Sequence, residues 1–229
     1  MNRREELAAG LAAVEERVAT ACREAGRSRA DVQLVAVSKT WPACDVALLA
    51  ELGVGDFGEN KDQEAAAKAE QVPGVRWHFL GRLQTNKARS VASYVTTVHS
   101  LDRPRLAEAL AAGARRAGRT VQVLVQVSLD GDPDRGGALP PDVPALAALA
   151  AGLEGLRLGG LMAVAPLGQD PGAAFDRLAA LAEQVRADHP AATALSAGMS
   201  GDLEAAVAAG ATHLRVGTAL FGHRPPLLR

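Results

Sequence analysis

Lysine is scarce in this chain of 229 residues. Only Lys39, Lys61, Lys68 and Lys87 occur, and arginine outnumbers lysine about fivefold. Cysteine is rarer still: Cys22 and Cys44 lie far apart and in no C-x-x-C context, which argues against a disulfide framework or a zinc site. The five histidines, His78, His99, His189, His213 and His223, lack metal-ligand spacing. Aromatics make up 3% of the residues and the formal net charge is −1, so neither a stacking platform nor a basic stripe is present for nucleic acid. Long apolar runs are missing as well. The alanine-leucine stretch 143–153 is too short to span a bilayer and the N-terminal segment is charged, so a cytoplasmic protein that binds no membrane is expected.

What is present is enough apolar residue, 48%, to bury one substantial core. The run 32–37 is apolar and β-branched without alternation, as in a parallel strand buried on both faces. It ends at Ser38-Lys39-Thr40, where α/β folds place their chemistry. The other three lysines lie in polar, alanine-rich stretches that read as solvated helix faces. Desolvation at a strand end would favour the neutral, nucleophilic form of Lys39. A lysine snorkelling out of a strand end is the plainer alternative.

Along the chain, residues 2 to about 25 show the helical period, with Leu7, Leu11, Val14 and Val18 on one stripe. Strands are expected at 32–37, 56–59, 76–80, 94–99, 120–127, 157–163, 193–197 and 211–216. Helices are expected between them at 42–52, 60–71, 85–92, 104–117, 142–151, 173–188 and 201–209, with a short last helix within 218–229. Valines alternate with Gln122, Leu124 and Gln126 in the fifth strand, which points to an occupied barrel interior. The stretch 130–141 is rich in Gly, Pro and Asp and reads as a long loop. Eight strand–helix units after one extra N-terminal helix, with no linker, make a single (β/α)8 TIM barrel over residues 1–229; a doubly wound open sheet is the other possibility.

Gly53-Val54-Gly55-Asp56-Phe57-Gly58 satisfies G-x-G-x-x-G but follows a helix rather than a strand, so it reads as a helix C-cap and strand entry. Two later junctions carry more. Gly198-Met199-Ser200-Gly201 and Gly217-Thr218 each lead a strand end through small residues into a helix, the arrangement that holds a phosphate in many barrels. Ordinary N-capping by Ser200 and Thr218 is the simpler use of either junction alone. Arg215, two residues before Gly217, shares its face and points inward, where a heteroaromatic nitrogen or a carboxylate could accept from it. An amine, a phosphate cradle and a partner for a ring nitrogen are the contacts expected of pyridoxal 5′-phosphate (PLP). A lysine-dependent phosphosugar aldolase would use the first two.

Six motifs settle the matter further: Val35-Ala36-Val37-Ser38-Lys39-Thr40, Phe57-Gly58-Glu59-Asn60, Trp77-His78-Phe79-Leu80-Gly81 with Gln84-Thr85-Asn86-Lys87, Gly160-Leu161-Met162-Ala163, Gly198-Met199-Ser200, and Arg215-Val216-Gly217-Thr218-Ala219-Leu220-Phe221-Gly222. In combination the chain resembles the pyridoxal phosphate homeostasis proteins, whose barrel is of the alanine racemase N-terminal type. The resemblance implies a Schiff base between PLP and Lys39, Arg215 facing the pyridine nitrogen, Ser200, Gly217 and Thr218 on the phosphate, and Asn60 and Met162 lining the ring. It departs at Gln126, where the family usually has asparagine, and near Arg135, where it has lysine followed by glycine.

Racemisation needs a second acid/base on the face opposite the lysine. Alanine racemase takes it from an additional domain that this chain is not expected to carry, and the one tyrosine, Tyr94, falls at the start of the expected fourth strand. A PLP-binding homeostasis protein with no catalytic residue is therefore expected, with apo PLP-dependent enzymes as recipients; a monomer is expected because no appended domain and no apolar surface stripe are apparent. A weak amino-acid racemase is the alternative.

Overall fold

The computed structural model describes residues 2–132 and 135–222. Among them eight strands close into a parallel barrel in sequential order: β1 (Gln33–Val37), β2 (Asp56–Glu59), β3 (Arg76–Phe79), β4 (Thr97–Leu101), β5 (Val121–Gln126), β6 (Leu156–Met162), β7 (Ala194–Ser196) and β8 (His213–Val216). Around it run α1 (Arg3–Glu24), α2 (Ala43–Glu51), α3 (Asp62–Gln71), α4 (Ala88–Tyr94), α5 (Pro104–Arg116), α6 (Val143–Gly152), α7 (Pro171–Asp188), α8 (Leu203–Ala208) and α9 (Thr218–Phe221). This is the (β/α)8 fold with an added N-terminal helix. The expected last helix is one turn, and the rest of that stretch, 223–229 with His223, lies outside the described residues.

The two faces of the strands do different work. Outward residues such as Leu34, Ala36, Phe57, Trp77, Val98, Val123 and Val125 pack against the helices in one continuous apolar core. Inside, the apolar layer is small, Leu124 with Met162 and Ala194, and polar side chains fill much of the remainder. The alternation in β5 follows that division, since Leu124 belongs to the inner cluster while its valine neighbours belong to the outer one.

One element is displaced from expectation. Tyr94 ends α4, and β4 begins three residues later, at Thr97, paired with His78. The run 94–99 is β-branched and aromatic throughout, so propensity marks no boundary within it. Tertiary contact does: the Tyr94 hydroxyl donates to Asp62 at the start of α3, 3.2 Å away, which keeps the ring among the outer helices. Burial, with Asp62 beside it, pushes that phenol's pKa up.

The glycine-rich stretch behaves as a cap. Gly53 sits at φ +98° after α2, and the N–H groups of Gly53 and Val54 return to Ala50 and Leu49, closing the helix before β2 starts. Helix α1 is started by a capping box between Asn2 and Glu5 and lies against α8, α9 and α2. Arg3 ties these together, donating to Asp45 at 2.6 Å and to the Phe221 carbonyl at 3.1 Å, with its guanidinium 4.7 Å from the Trp41 ring centroid.

Gly10 lies inside α1, where glycine costs about 1 kcal/mol against alanine. A Cβ there would stand 2.6 Å from the Leu220 carbonyl oxygen, so its absence lets α1 approach α9. Gly10→Ala is therefore expected to destabilise by about 1–3 kcal/mol, the overpacking penalty, in urea unfolding. A gain in stability would contradict the contact.

At the strands' N-terminal ends, Asp56 accepts from His78 at 2.9 Å and from Arg76 at 2.7 Å. Burial alone would raise its pKa, but these hydrogen bonds outweigh burial and bring it to about 2 from the ordinary 3.8. A carboxylate lowered on folding stabilises above its unfolded pKa and loses that contribution as pH falls toward the folded value. Asp56→Asn is expected to remove roughly 2 kcal/mol of pH-dependent stability between about pH 4 and 2. Acid-unfolding curves with equal slopes in that window would refute it.

Candidate functional site

At the C-terminal ends of the strands a cavity of about 460 Å³ opens, and its lining includes Lys39, Asn60, Met162, Ser200, Arg215, Gly217 and Thr218. Residues separated by up to 179 positions thus meet at one mouth, because parallel strands deliver every C-terminal end to the same side. Val37, Trp41, Leu80 and Val164 also line it without having been expected there. Leu80 and Val164 were within reach of the period-2 rule, standing two residues beyond inward-facing His78 and Met162. Trp41 carried no such signal; its stacking on Phe221, with centroids 5.7 Å apart, places it.

Lys39 follows β1 directly and is exposed in the mouth rather than desolvated by the protein. The expectation of a desolvated amine is thereby corrected: apolar β1 ends at Val37, two residues before the lysine, and covering it falls to whatever fills the cavity. The buried lysine is another one. Lys68, expected on a solvated helix face, is 5% exposed and points from α3 into the gap beside β1. Its ammonium donates to Glu59 at 2.5 Å, Glu64 at 2.8 Å and the Ser38 carbonyl at 2.8 Å. Ser38 also donates through its hydroxyl to Glu59 at 2.7 Å, and the Thr40 N–H reaches Glu64.

Residues on both sides of Lys39 are therefore clamped. Thr40 needs it, since it sits at φ +71°, a left-handed conformation costly for a β-branched side chain. Glu59 is fully buried, and burial pushes its pKa up against the opposing effect of Lys68 and Ser38. Replacing Lys68 by Met would leave that carboxylate uncompensated at about 3–5 kcal/mol. A group whose folded pKa is raised loses stability as pH rises through that pKa. The deficit of Lys68→Met is therefore expected to be smaller at pH 5 than at pH 8; equal deficits would remove the clamp.

Arg215 is the buried cation of the inner wall, 5% exposed. It donates to Ser196 Oγ at 2.6 Å and to the Ala163 carbonyl at 2.9 Å, and has no carboxylate at ion-pair distance among the described residues. Burial lowers its pKa to about 10, which leaves it charged at neutral pH. Of the two acceptors foreseen for it, the carboxylate is absent, and further N–H groups remain for a ligand.

On the opposite side, the backbone N–H groups of Ser200, Gly201, Gly217 and Thr218 find no acceptor among the described residues. Ser200 is held in place by Arg17, which donates twice to its carbonyl at 3.1 Å. An exposed amine, a group of unpaired N–H donors and a donor-only guanidinium fit a small planar aldehyde with an anionic arm and an acceptor in its ring. Among the described residues, no carboxylate, imidazole, thiol or phenol lines the cavity. Tyr94 in particular is remote from it, in the helical layer.

The departures at Gln126 and Arg135 meet in the loop after β5. Gln126 donates to the Arg135 carbonyl at 3.2 Å, while Arg135 donates to the Ala165 carbonyl at 2.7 Å and pairs with Asp130 at 2.9 Å. These contacts pin the described part of the loop beside the cavity wall at Val164.

A barrel with a strand-end lysine and an anion-type junction at one mouth defines a class, and the family model of the alanine racemase N-terminal domain matches residues 10–225. The pyridoxal phosphate homeostasis protein of Mycobacterium tuberculosis is 45% identical over 97% of this chain and 95% of its own length. PipY of Synechococcus elongatus, solved with PLP bound, is 37% identical at a TM-score of 0.83 over 94% of this chain and all of that one. An alanine racemase from Clostridium difficile, 13% identical, shares the fold at a TM-score of 0.73, with 57% of its length covered. The chain belongs to the pyridoxal phosphate homeostasis protein family.

Proposed function

We propose that residues 1–229 act as one PLP-binding barrel that holds the cofactor reversibly on Lys39 and serves PLP homeostasis without substantial catalytic turnover. The observation that carries this reading is the composition of the mouth: one exposed amine faces unpaired N–H donors and a buried guanidinium, and among the described residues no second acid/base lines it. The printed names of the relatives, and the bound PLP of PipY, support the choice of ligand.

Bound there, PLP supplies an aldehyde and, in principle, an electron sink. Lys39 adds through its amine to the aldehyde carbon and water leaves, giving a Schiff base that hydrolysis reverses. Ser200, Gly201, Gly217 and Thr218 hold the phosphate through N–H and hydroxyl donors. Asn60 and Met162 flank the ring, and Arg215 donates to its nitrogen. A permanent cation at that nitrogen disfavours protonating it and so weakens the electron sink. Reversible holding, rather than carbanion chemistry, is what this set of residues favours, with apo PLP-dependent enzymes as recipients.

Purified holo-protein is expected to show a visible cofactor band that Lys39→Ala abolishes, and to load an apo-enzyme faster than free release of PLP allows. Lys39-dependent interconversion of alanine enantiomers at enzymatic rates would overturn the non-catalytic reading. Transfer no faster than free release would remove the donor role.

A further inference from the structure

Arg215 does not end at Ser196. The Ser196 hydroxyl lies 2.9 Å from His99 Nδ1, His99 Nε2 lies 2.9 Å from His78 Nδ1, and His78 Nε2 lies 2.9 Å from Asp56 Oδ1. A continuous hydrogen-bonded chain thus crosses the barrel interior. Its far members, His78 and Asp56, line a second cavity of about 290 Å³ at the opposite mouth, together with Arg76 and His213.

The hydrogens of this chain can be assigned from its ends. Asp56 is ionised above about pH 2 and only accepts, so His78 Nε2 carries the proton. In a neutral His78, Nδ1 must then accept, so His99 donates from Nε2 and accepts at Nδ1. Burial drives the His99 pKa well down, with His78, Arg215 and His213 adding to the effect, so that ring is neutral. Ser196 must therefore donate its one proton to His99, leaving its lone pairs for Arg215. Every donor points from Arg215 toward Asp56. The reverse order would face an unprotonated Nε2 against the carboxylate unless His78 were charged.

We infer that Ser196, His99 and His78 are positioning residues that fix the Arg215 guanidinium at the inner wall of the PLP site by holding Ser196 as its acceptor. The inference rests on the proposed contact between Arg215 and the ring nitrogen. A hydroxyl free to rotate could turn its proton toward the guanidinium, whereas one committed to His99 presents only lone pairs. Dipoles aligned head to tail also polarise one another, which strengthens each bond in a water-poor interior. The negative end of the chain at Asp56 lies at the opposite mouth, so Arg215 is held by neutral acceptors, with no carboxylate at ion-pair distance among the described residues. The titratable groups facing the chain are His213 from β8, held at about 4 chiefly by burial, Arg76 from β3, and Asp202 after β7, which acts on Arg215.

The test has two parts. In nitrogen-15 spectra of the histidine-labelled protein, His78 and His99 are both expected to carry their proton at Nε2, with Nδ1 accepting; a proton at Nδ1 of His99 would overturn the assignment. In the PLP-loaded protein, Ser196→Ala and His99→Phe are expected to release cofactor about tenfold faster, the loss of one charge-assisted hydrogen bond. They are also expected to shift the pH at which the bound cofactor's absorbance titrates. His99→Asn, which keeps an acceptor near Ser196, is expected to restore part of both effects. A purely structural role would lower the melting temperature of the variants and leave that titration unmoved, which refutes the inference. If His99→Phe does not fold, Ser196→Ala, which removes one oxygen atom, decides alone. Absence of any cofactor band in the wild-type protein would instead refute the PLP reading itself.

Discussion

A guanidinium buried in a barrel with no carboxylate at ion-pair distance among the described residues is the constraint from which much of this interior follows. Arg215 can only donate, so the residues around it must accept: Ser196 and the Ala163 carbonyl do so, and the alignment of Ser196 is passed on through two histidines to Asp56. Barrels of this architecture commonly fill their centres with layers of branched apolar side chains. Here the apolar layer shrinks to Leu124, Met162 and Ala194, and the space below is given to a polar chain. The cation is retained close to the mouth where the conserved logic of the fold, strand ends facing one side, gathers the amine and the unpaired N–H groups.

Two separate devices prepare that mouth. The Lys68–Glu59–Glu64 cluster fixes the backbone on either side of Lys39 and holds Thr40 in its left-handed conformation. Helix α1 braces the other rim, where Arg3 reaches Asp45, Phe221 and Trp41, and Gly10 permits close approach to α9. The lysine itself is left exposed in a fixed frame, an arrangement suited to the reversible covalent bond proposed for it.

Much of this was legible in the sequence. Element order, the extra helix, the inward face of β5 and the cavity residues Lys39, Ser200, Arg215, Gly217 and Thr218 follow from periodicity and from small residues at strand ends. The resemblance added Asn60 and Met162, which line the same cavity. What escaped was set by tertiary contacts. Tyr94 looks like strand until Asp62 on a different helix captures its hydroxyl. Lys68 looks solvated because a helix in alanine, lysine and glutamate shows no strong apolar stripe, and its burial depends on Glu59 at the end of a strand. The histidine chain was invisible for the same reason: His78, His99 and Ser196 share no spacing, and only closure of the barrel brings three strands' inner faces together. Spacing rules test metal sites on one element, and they do not find a hydrogen-bonded path across a barrel.

The central claim is that Lys39, alone of the four lysines, bears the cofactor. Reducing the PLP-loaded protein with borohydride and mapping the modified peptide by mass tests it most directly. One phosphopyridoxyl group on Lys39, with Lys61, Lys68 and Lys87 unmodified, is the expected result. Modification spread over the exposed lysines, or located on another one, would contradict the account.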